Sequence, residues 1–174
     1  MSTDDDHDTA PRRPTLRFML TSPWHLLALG AGSGLPRVAP GTWGTLLGWL
    51  LFLRLDRTLG PWSWWLLVAT MLAIGAYAAQ VTGRRLGAAD SSHIVIDEIV
   101  AFWIVLLLLP DAAAQGGPLM VAAFVLFRFF DIVKPPPIRA LDQRLKNGAG
   151  VMLDDLVAAF YTLLVLAIGI RLWG

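Results

Sequence analysis

The sequence contains no cysteine and little charge. Its 174 residues include 14 Lys and Arg and 13 Asp and Glu. Without cysteine the chain has no disulfides, no thiolate metal site and no cysteine nucleophile. A net charge of +1 gives no electrostatic support for nucleic-acid binding, and no basic-aromatic motif adds any. We therefore expect no nucleic-acid partner.

Apolar residues, in contrast, are abundant. The chain is 56% hydrophobic, with 8 Trp, and its mean hydropathy is +0.60. These values exceed those of ordinary soluble domains and predict an integral membrane protein. A domain of this length has room for about five membrane-embedded helices and little else. The predicted architecture is a small polytopic membrane helical bundle, in which helices and short loops must build any active site.

The N-terminus is polar. It reads "MSTDDDHDTAPRRPTLRFML", acidic before it is basic, and lacks the basic, apolar and cleavage regions of a signal peptide. We interpret residues 1–16 as a disordered cytosolic tail and 17–174 as a single helical membrane domain.

A glycine- and proline-rich segment follows the tail. In "SPWHLLALGAGSGLPRVAPGTWGTLLGWLLFL", Ser22 and Pro23 are a helix-start signal. The segment is predicted to be re-entrant or interfacial and to lead into a helix. Its glycines favour either close helix packing or a backbone amide cradle for phosphate, and the pattern leaves both open.

Three later apolar segments carry acids at one end. In "IVIDEIVAFWIVLLLLP" the apolar run after the acids would rise only about 17 Å as a helix, against roughly 30 Å of bilayer core. The acids of a spanning helix would then lie at the membrane boundary. Alternatively, they mark a solvated helix start, where the helix dipole favours acidic side chains. Consecutive short-looped helices run antiparallel, so the start, end and start of these segments fall on one face. The acids expected to converge there are Asp97, Glu98, Asp131, Asp154 and Asp155.

Such a cluster predicts a divalent metal site. Five carboxylates would repel one another without a cation, and oxygen-only ligands suit Mg²⁺, Mn²⁺ or Ca²⁺. Arg128, Lys134 and Arg139 would supply positive charge for a phosphate bridged to the metal. An intrahelical ladder of Arg128, Asp131 and Lys134 at three-residue spacing is the alternative. His25 would either donate a proton to a leaving group or serve as a structural hydrogen-bonder.

Loop charges predict the orientation. Most lysines and arginines of the loops lie on the acidic side, and the positive-inside rule makes that face cytoplasmic. These residues are Arg84, Arg85, Lys134, Arg139, Arg144 and Lys146.

Three blocks resemble the phosphatidylglycerophosphatase A family of bacterial membrane lipid phosphatases. They are "PWHLLALGAGSGLPRVAPGTWGTL", "IVIDEIVAFW" and "FRFFDIVKPPPIRALDQRLKNGAGVMLDDLVA", and with their connecting helices the resemblance covers about residues 20 to 170. It implies an all-α fold in the bacterial cytoplasmic (inner) membrane. It also implies Mg²⁺-dependent removal of the terminal phosphate of phosphatidylglycerol phosphate, giving phosphatidylglycerol. The motif positions it carries over are His25, Asp97, Glu98, Arg128, Asp131, Lys134, Arg139, Asp142, Asp154 and Asp155.

The resulting hypothesis assigns roles to these positions. The five acids named above are catalytic, and Asp97, Glu98, Asp131 and Asp155 hold Mg²⁺. His25, Arg128, Lys134 and Arg139 bind the substrate phosphate, and Asp142 supports them. Attack comes from a water deprotonated by a carboxylate or from an aspartate that forms a transient phosphoenzyme.

Other functions fit the sequence less well. A phosphatidyltransferase acting on CDP-linked lipids would need a DG…AR…G…D…D spacing, which is missing. A small cation transporter with a carboxylate-lined ion site would spread its acids through the membrane depth. A soluble helical bundle remains open because several apolar runs are short for a bilayer.

Overall fold

The computed structural model describes residues 12–88, 91–110, 117–136 and 147–173. Within these ranges the chain is helical and has no strand, so the predicted all-α fold is confirmed for the part of the chain described. Residues 1–11 of the predicted tail lie outside it. The helices are α1 Leu16–Leu20, α2 Pro23–Ala28, α3 Pro40–Leu55, α4 Pro61–Leu86, α5 Ile96–Leu107, α6 Pro118–Val133 and α7 Gly148–Trp173, with a 3₁₀ turn at Gly30–Gly32.

Local sequence signals set the helix boundaries. Ser22 caps α2 and accepts a hydrogen bond from the Trp24 N–H at 3.3 Å. Helices α3, α4 and α6 each begin with proline, which has no N–H to leave unpaired in the first turn. Helix α4 ends at Leu86 and is followed by Gly87 in the left-handed conformation. Helix α6 stops before Pro135, as expected for a proline run.

Helix α5 is the centre of the bundle. Every one of its residues except Ile104 and Leu107 is buried, and it packs against α3, α4, α6 and α7. The Trp103 indole N–H donates to the Gly48 carbonyl at 2.8 Å and ties α5 to α3. The helix has 12 residues and is apolar all round after its two acids, as expected for a core helix of about 18 Å. The shortness of this apolar run thus reflects burial in protein.

Consecutive helices from α3 to α7 run antiparallel, so the start of one helix lies beside the end of the next. Helices α3, α5 and α7 begin, and α4 and α6 end, at the same end of the bundle, which we call the acidic end. The opposite end brings together Phe52, Asp56, Trp64 and Leu106 around a small cavity. All five carboxylates predicted to converge are therefore placed at one end by topology.

Two described helices are long and apolar enough to cross a membrane by length and composition, namely Pro61–Leu86 and Gly148–Leu172. The prediction of about five embedded helices is therefore not confirmed. Helices α3 and α6 have 16 residues each, which gives a length of about 24 Å. Exposed apolar side chains nevertheless run along α6, at Val121, Val125, Phe129 and Ile132.

Candidate active site

A cavity of about 340 Å³ opens at the acidic end. The first turn of α3, the chain entering α5, the last turns of α6 and the start of α7 form its walls. Each wall comes from a different helix, so only the folded bundle creates the cavity. The predicted site residues that line it are Asp97, Glu98, Arg128, Asp131, Lys134, Asp154 and Asp155.

Three of the acids form a tight group, the three-carboxylate cluster, which consists of Glu98, Asp131 and Asp155. One oxygen from each lies within 4.8 Å of the others. Arg128 Nη1 contacts Glu98 Oε1 at 2.7 Å and Asp131 Oδ2 at 2.9 Å. Three ionised carboxylates and one guanidinium leave a formal charge of about −2, which a single divalent cation would neutralise.

The cluster fits a small divalent cation. Oxygen ligands held about 2.1 Å from Mg²⁺ lie roughly 3 to 4 Å from one another, so oxygens within 4.8 Å need only a small adjustment. Asp155 is buried, and its Oδ2 accepts no hydrogen bond from any described residue. A buried carboxylate oxygen without a donor is costly unless a cation completes its environment.

Asp97 and Asp154 line the cavity beside the cluster. Asp97 Oδ1 accepts a hydrogen bond from the Glu98 backbone N–H at 3.0 Å, at the start of α5. Asp154 Oδ2 contacts Lys134 Nζ at 3.5 Å. Of the four predicted metal ligands, the structure therefore groups three and leaves Asp97 outside the group.

The charges of α6 are not confined to their own helix. Arg128 pairs with Asp131 along α6, but it also reaches Glu98 on α5, and Lys134 reaches Asp154 on α7. Lys134 has a φ of 45° at the end of α6, a strained conformation for a residue other than glycine and one found often at functional sites. The intrahelical ladder thus accounts for the contact between Arg128 and Asp131 but not for the contacts that reach α5 and α7.

His25 lies elsewhere. Its Nδ1 is 2.9 Å from Thr82 Oγ1, and its ring stacks on Phe18 with centroids 4.3 Å apart. It belongs to α2, is buried against α1 and α4, and does not line the cavity. The geometry favours the structural alternative, and the phosphate-binding role of His25 remains a prediction. Arg139 and Asp142 lie outside the described residues.

We predict a specific pH dependence for His25. Burial, and secondarily the nearby Arg85 guanidinium, lower the pKa of the His25 imidazole below its ordinary 6.5. As the pH falls, His25 therefore takes up a proton in the unfolded chain before it does so in the folded chain. The contribution of neutral His25 to the free energy of unfolding is complete above pH 6.5 and decreases as the pH falls from 6.5 towards the folded-state pKa. In detergent, His25→Phe should unfold at a lower temperature than the wild type at pH 8, with a smaller loss at pH 5.5.

The same variant tests the phosphate-binding prediction. Phenylalanine retains the ring that stacks on Phe18 but removes the contact with Thr82. Turnover per folded molecule close to that of the wild type would exclude His25 from phosphate binding. A large loss of turnover without a change in the pH slope would reverse the structural assignment.

Sequence reasoning missed part of the cavity wall. The glycines of "PGTWGTLLG" pack α3 against α5, because a Cβ on Gly41 would collide with Glu98 Oε1 and one on Gly44 would lie 2.5 Å from Val95 Cβ. Thr45, one residue later, contacts Arg128. Ser91 and Ser92 also line the cavity. Close helix packing was one of the two roles that the glycines favoured, but nothing in the sequence indicated that the packing partner was the site itself.

Comparison with known proteins gives consistent matches. Residues 26–170 match the model of the family described as phosphatidylglycerophosphatase A. The phosphatidylglycerophosphatase A of Haemophilus influenzae is 44% identical over 160 residues, 92% of this chain and 96% of that protein. That of Escherichia coli is 40% identical over 146 residues, 82% of this chain and 80% of its own.

A third relative, from Bacteroides thetaiotaomicron, has a name that assigns it provisionally as a phosphatidylinositol-3-phosphatase. It is 40% identical over 147 residues, 82% of this chain and 91% of its own. No solved structure matches.

Proposed function

Because the chain belongs to the phosphatidylglycerophosphatase A family, we propose that it hydrolyses the terminal phosphomonoester of phosphatidylglycerol phosphate. The products are phosphatidylglycerol and phosphate, and the enzyme is a phosphatase of phospholipid synthesis. The observation that carries the proposal is the three-carboxylate cluster beside Arg128, at the end of an apolar bundle.

Mg²⁺ is the proposed cofactor, held by Glu98, Asp131 and Asp155. When bound, it would offset the negative charge of the phosphate in the ground state and the transition state. The net deficit of positive charge in the cluster, and an Oδ2 of Asp155 that has no hydrogen-bond donor in the part of the chain described, support this assignment. Asp97, next to the cluster, is available as an outer carboxylate that orients it.

The remaining residues of the cavity act on substrate and water. Arg128 and Lys134 bind phosphate oxygens by charge-assisted hydrogen bonds. A carboxylate of the cavity either takes the proton of the attacking water or attacks phosphorus itself, and both routes remain proposals. In either route the glycerol oxygen leaves with the bonding electron pair and needs a proton, which must come from a cavity acid or from water.

The proposed location is the bacterial cytoplasmic membrane, with the acidic end facing the cytoplasm. Helices α4 and α7 have the length to span, and the exposed apolar stripe of α6 suits contact with lipid. Helices α3 and α6 are then embedded as shorter members and α5 as the enclosed core. Acyl chains would remain in the bilayer while the phosphoglycerol head group enters the cavity.

The first test is phosphate release in mild detergent. We expect release from phosphatidylglycerol phosphate with Mg²⁺ and none after EDTA treatment, with activity restored by excess Mg²⁺. Binding of the cation should also raise the unfolding temperature, because a ligand that binds only the folded state stabilises it. No release from protein that remains folded and binds Mg²⁺ would contradict the proposed substrate.

Two comparison arms make this assay discriminating. Phosphatidylinositol 3-phosphate, assayed in parallel, tests whether the head group of the third relative is also accepted. Ion flux in liposomes tests the alternative of a small cation transporter. Release from phosphatidylglycerol phosphate without flux supports the phosphatase, and flux without release supports the transporter.

A further inference from the structure

Thr45 is a buried polar residue of α3 that the proposed mechanism does not use. Its side chain is fully buried. The hydroxyl donates to the Gly41 carbonyl at 2.9 Å, and this fixes the direction of its lone pairs. Arg128 Nη1 lies 3.4 Å from the same oxygen. The hydroxyl is thus oriented by its own helix to accept from a guanidinium on α6.

The other partners of Arg128 Nη1 are members of the three-carboxylate cluster. Glu98 and Asp131 accept from this nitrogen at 2.7 and 2.9 Å. Both carboxylates would share their charge with a cation bound at the cluster, which weakens their hold on the guanidinium. Among the described partners of Nη1, Thr45 is the one outside the cluster, so its contact does not involve a carboxylate that would hold the cation.

Helix α3 also leaves space for the guanidinium. A Cβ on Gly41 would come within 2.7 Å of Arg128 Nη2. Nη2 therefore lies against bare backbone at the wall of the cavity, while Nη1 is occupied by three acceptors. Because Gly41 and Arg128 both line the cavity, Nη2 is the terminal nitrogen that a phosphate in the cavity would meet without displacing these three acceptors.

From this geometry we propose that Thr45 is a positioning residue, which holds Arg128 in the orientation that presents Nη2 to the phosphomonoester. The inference rests on the proposed phosphatase function. Thr45 does not touch substrate, and it acts through Arg128.

The test compares two threonines. Thr162 on α7 is also fully buried and donates to the carbonyl four residues earlier, Ala158, at 2.8 Å. It does not line the cavity. Thr162→Val therefore measures the general cost of removing a buried helical hydroxyl, and Thr45→Val measures that cost together with the loss of the contact to Arg128. Thr45→Ser retains the hydroxyl.

Two quantities are measured for each variant. The first is KM and kcat for phosphatidylglycerol phosphate, and the second is binding of inorganic phosphate, from the rise in unfolding temperature with and without Mg²⁺. For Thr45→Val we expect about tenfold weaker phosphate binding and a kcat/KM about tenfold lower, in the range for a hydrogen bond to a charged group. Thr45→Ser should retain most of the wild-type phosphate binding and kcat/KM. Thr162→Val should lower the unfolding temperature and leave phosphate binding and kcat/KM unchanged.

The outcomes separate cleanly. Equal losses of stability in Thr45→Val and Thr162→Val, with unchanged phosphate binding and KM, would overturn the positioning role. If Thr45→Val does not fold, KM, kcat and phosphate binding are measured on Thr45→Ala, which also lacks the hydroxyl and has no β-branched side chain. Phosphate binding that depends on Thr45, in a wild type that releases no phosphate from lipid, would support the positioning role and refute the proposed substrate.

Discussion

Asp155→Asn is expected to abolish turnover while leaving the fold at least as stable as that of the wild type. Asp155 is buried, belongs to the three-carboxylate cluster and has an oxygen without a donor among the described residues. Asparagine has nearly the same shape but no charge. It therefore removes the cost of burying a charged group and the repulsion by the neighbouring carboxylates, and it also removes one anionic ligand. We expect a loss of about a thousandfold in kcat/KM, as for the removal of a principal electrostatic contributor.

The measurement combines phosphate release with thermal unfolding. In the absence of Mg²⁺ the variant should unfold at or above the wild-type temperature, and the rise on adding Mg²⁺ should be lost. Asp56→Asn is the control, because Asp56 lies at the opposite end of the bundle and accepts from the Trp64 indole N–H at 3.0 Å. A variant at Asp155 that remains active, or still gains stability with Mg²⁺, would remove this residue from the metal site.

Gly41→Ala should have the second-largest effect. The added methyl would collide with Glu98 Oε1 and lie 2.7 Å from Arg128 Nη2. Both groups must move, or the start of α3 must move away from α5. A displacement of about 1 Å in a catalytic constellation can reduce the rate about a hundredfold, and crowding of a packed interior costs roughly 1 to 3 kcal/mol of stability.

Gly169→Ala is the matched control. Gly169 lies inside α7, and a Cβ there would meet nothing within 4 Å. Alanine should be neutral or favour the helix by up to about 1 kcal/mol, because it restricts the unfolded chain. Turnover should be unchanged. Wild-type kcat/KM in Gly41→Ala would mean that close packing of α3 against Glu98 does not define the site.

Several elements followed from the sequence with little ambiguity. Ser22 with Pro23 and the prolines after Lys134 marked helix limits that the structure reproduces. The apolar segments predicted the helices themselves, since their composition and length leave few alternatives. The meeting of Asp97, Asp131 and Asp155 at one end follows from antiparallel connection alone.

The sequence was less informative about which helices meet lipid. The segment after Asp97 has the apolar composition of a membrane helix, but in the bundle it is the enclosed core. Composition cannot separate these two environments, because both protein interior and bilayer exclude water. Similarly, the pattern around Gly41 favoured either close packing or a phosphate cradle, and it did not identify Glu98 as the neighbour.

By itself the sequence determined the helical class, several of the helix limits and the end of the bundle at which the acids gather, because these depend on local propensity and on the alternation of chain direction. Tertiary structure decided which acids approach one another, that Arg128 joins Glu98 to Asp131, that Thr45 and Gly41 form the wall beside it, and that His25 packs apart from them. These features depend on the rotation and separation of helices distant in sequence, and packing of the whole bundle fixes both.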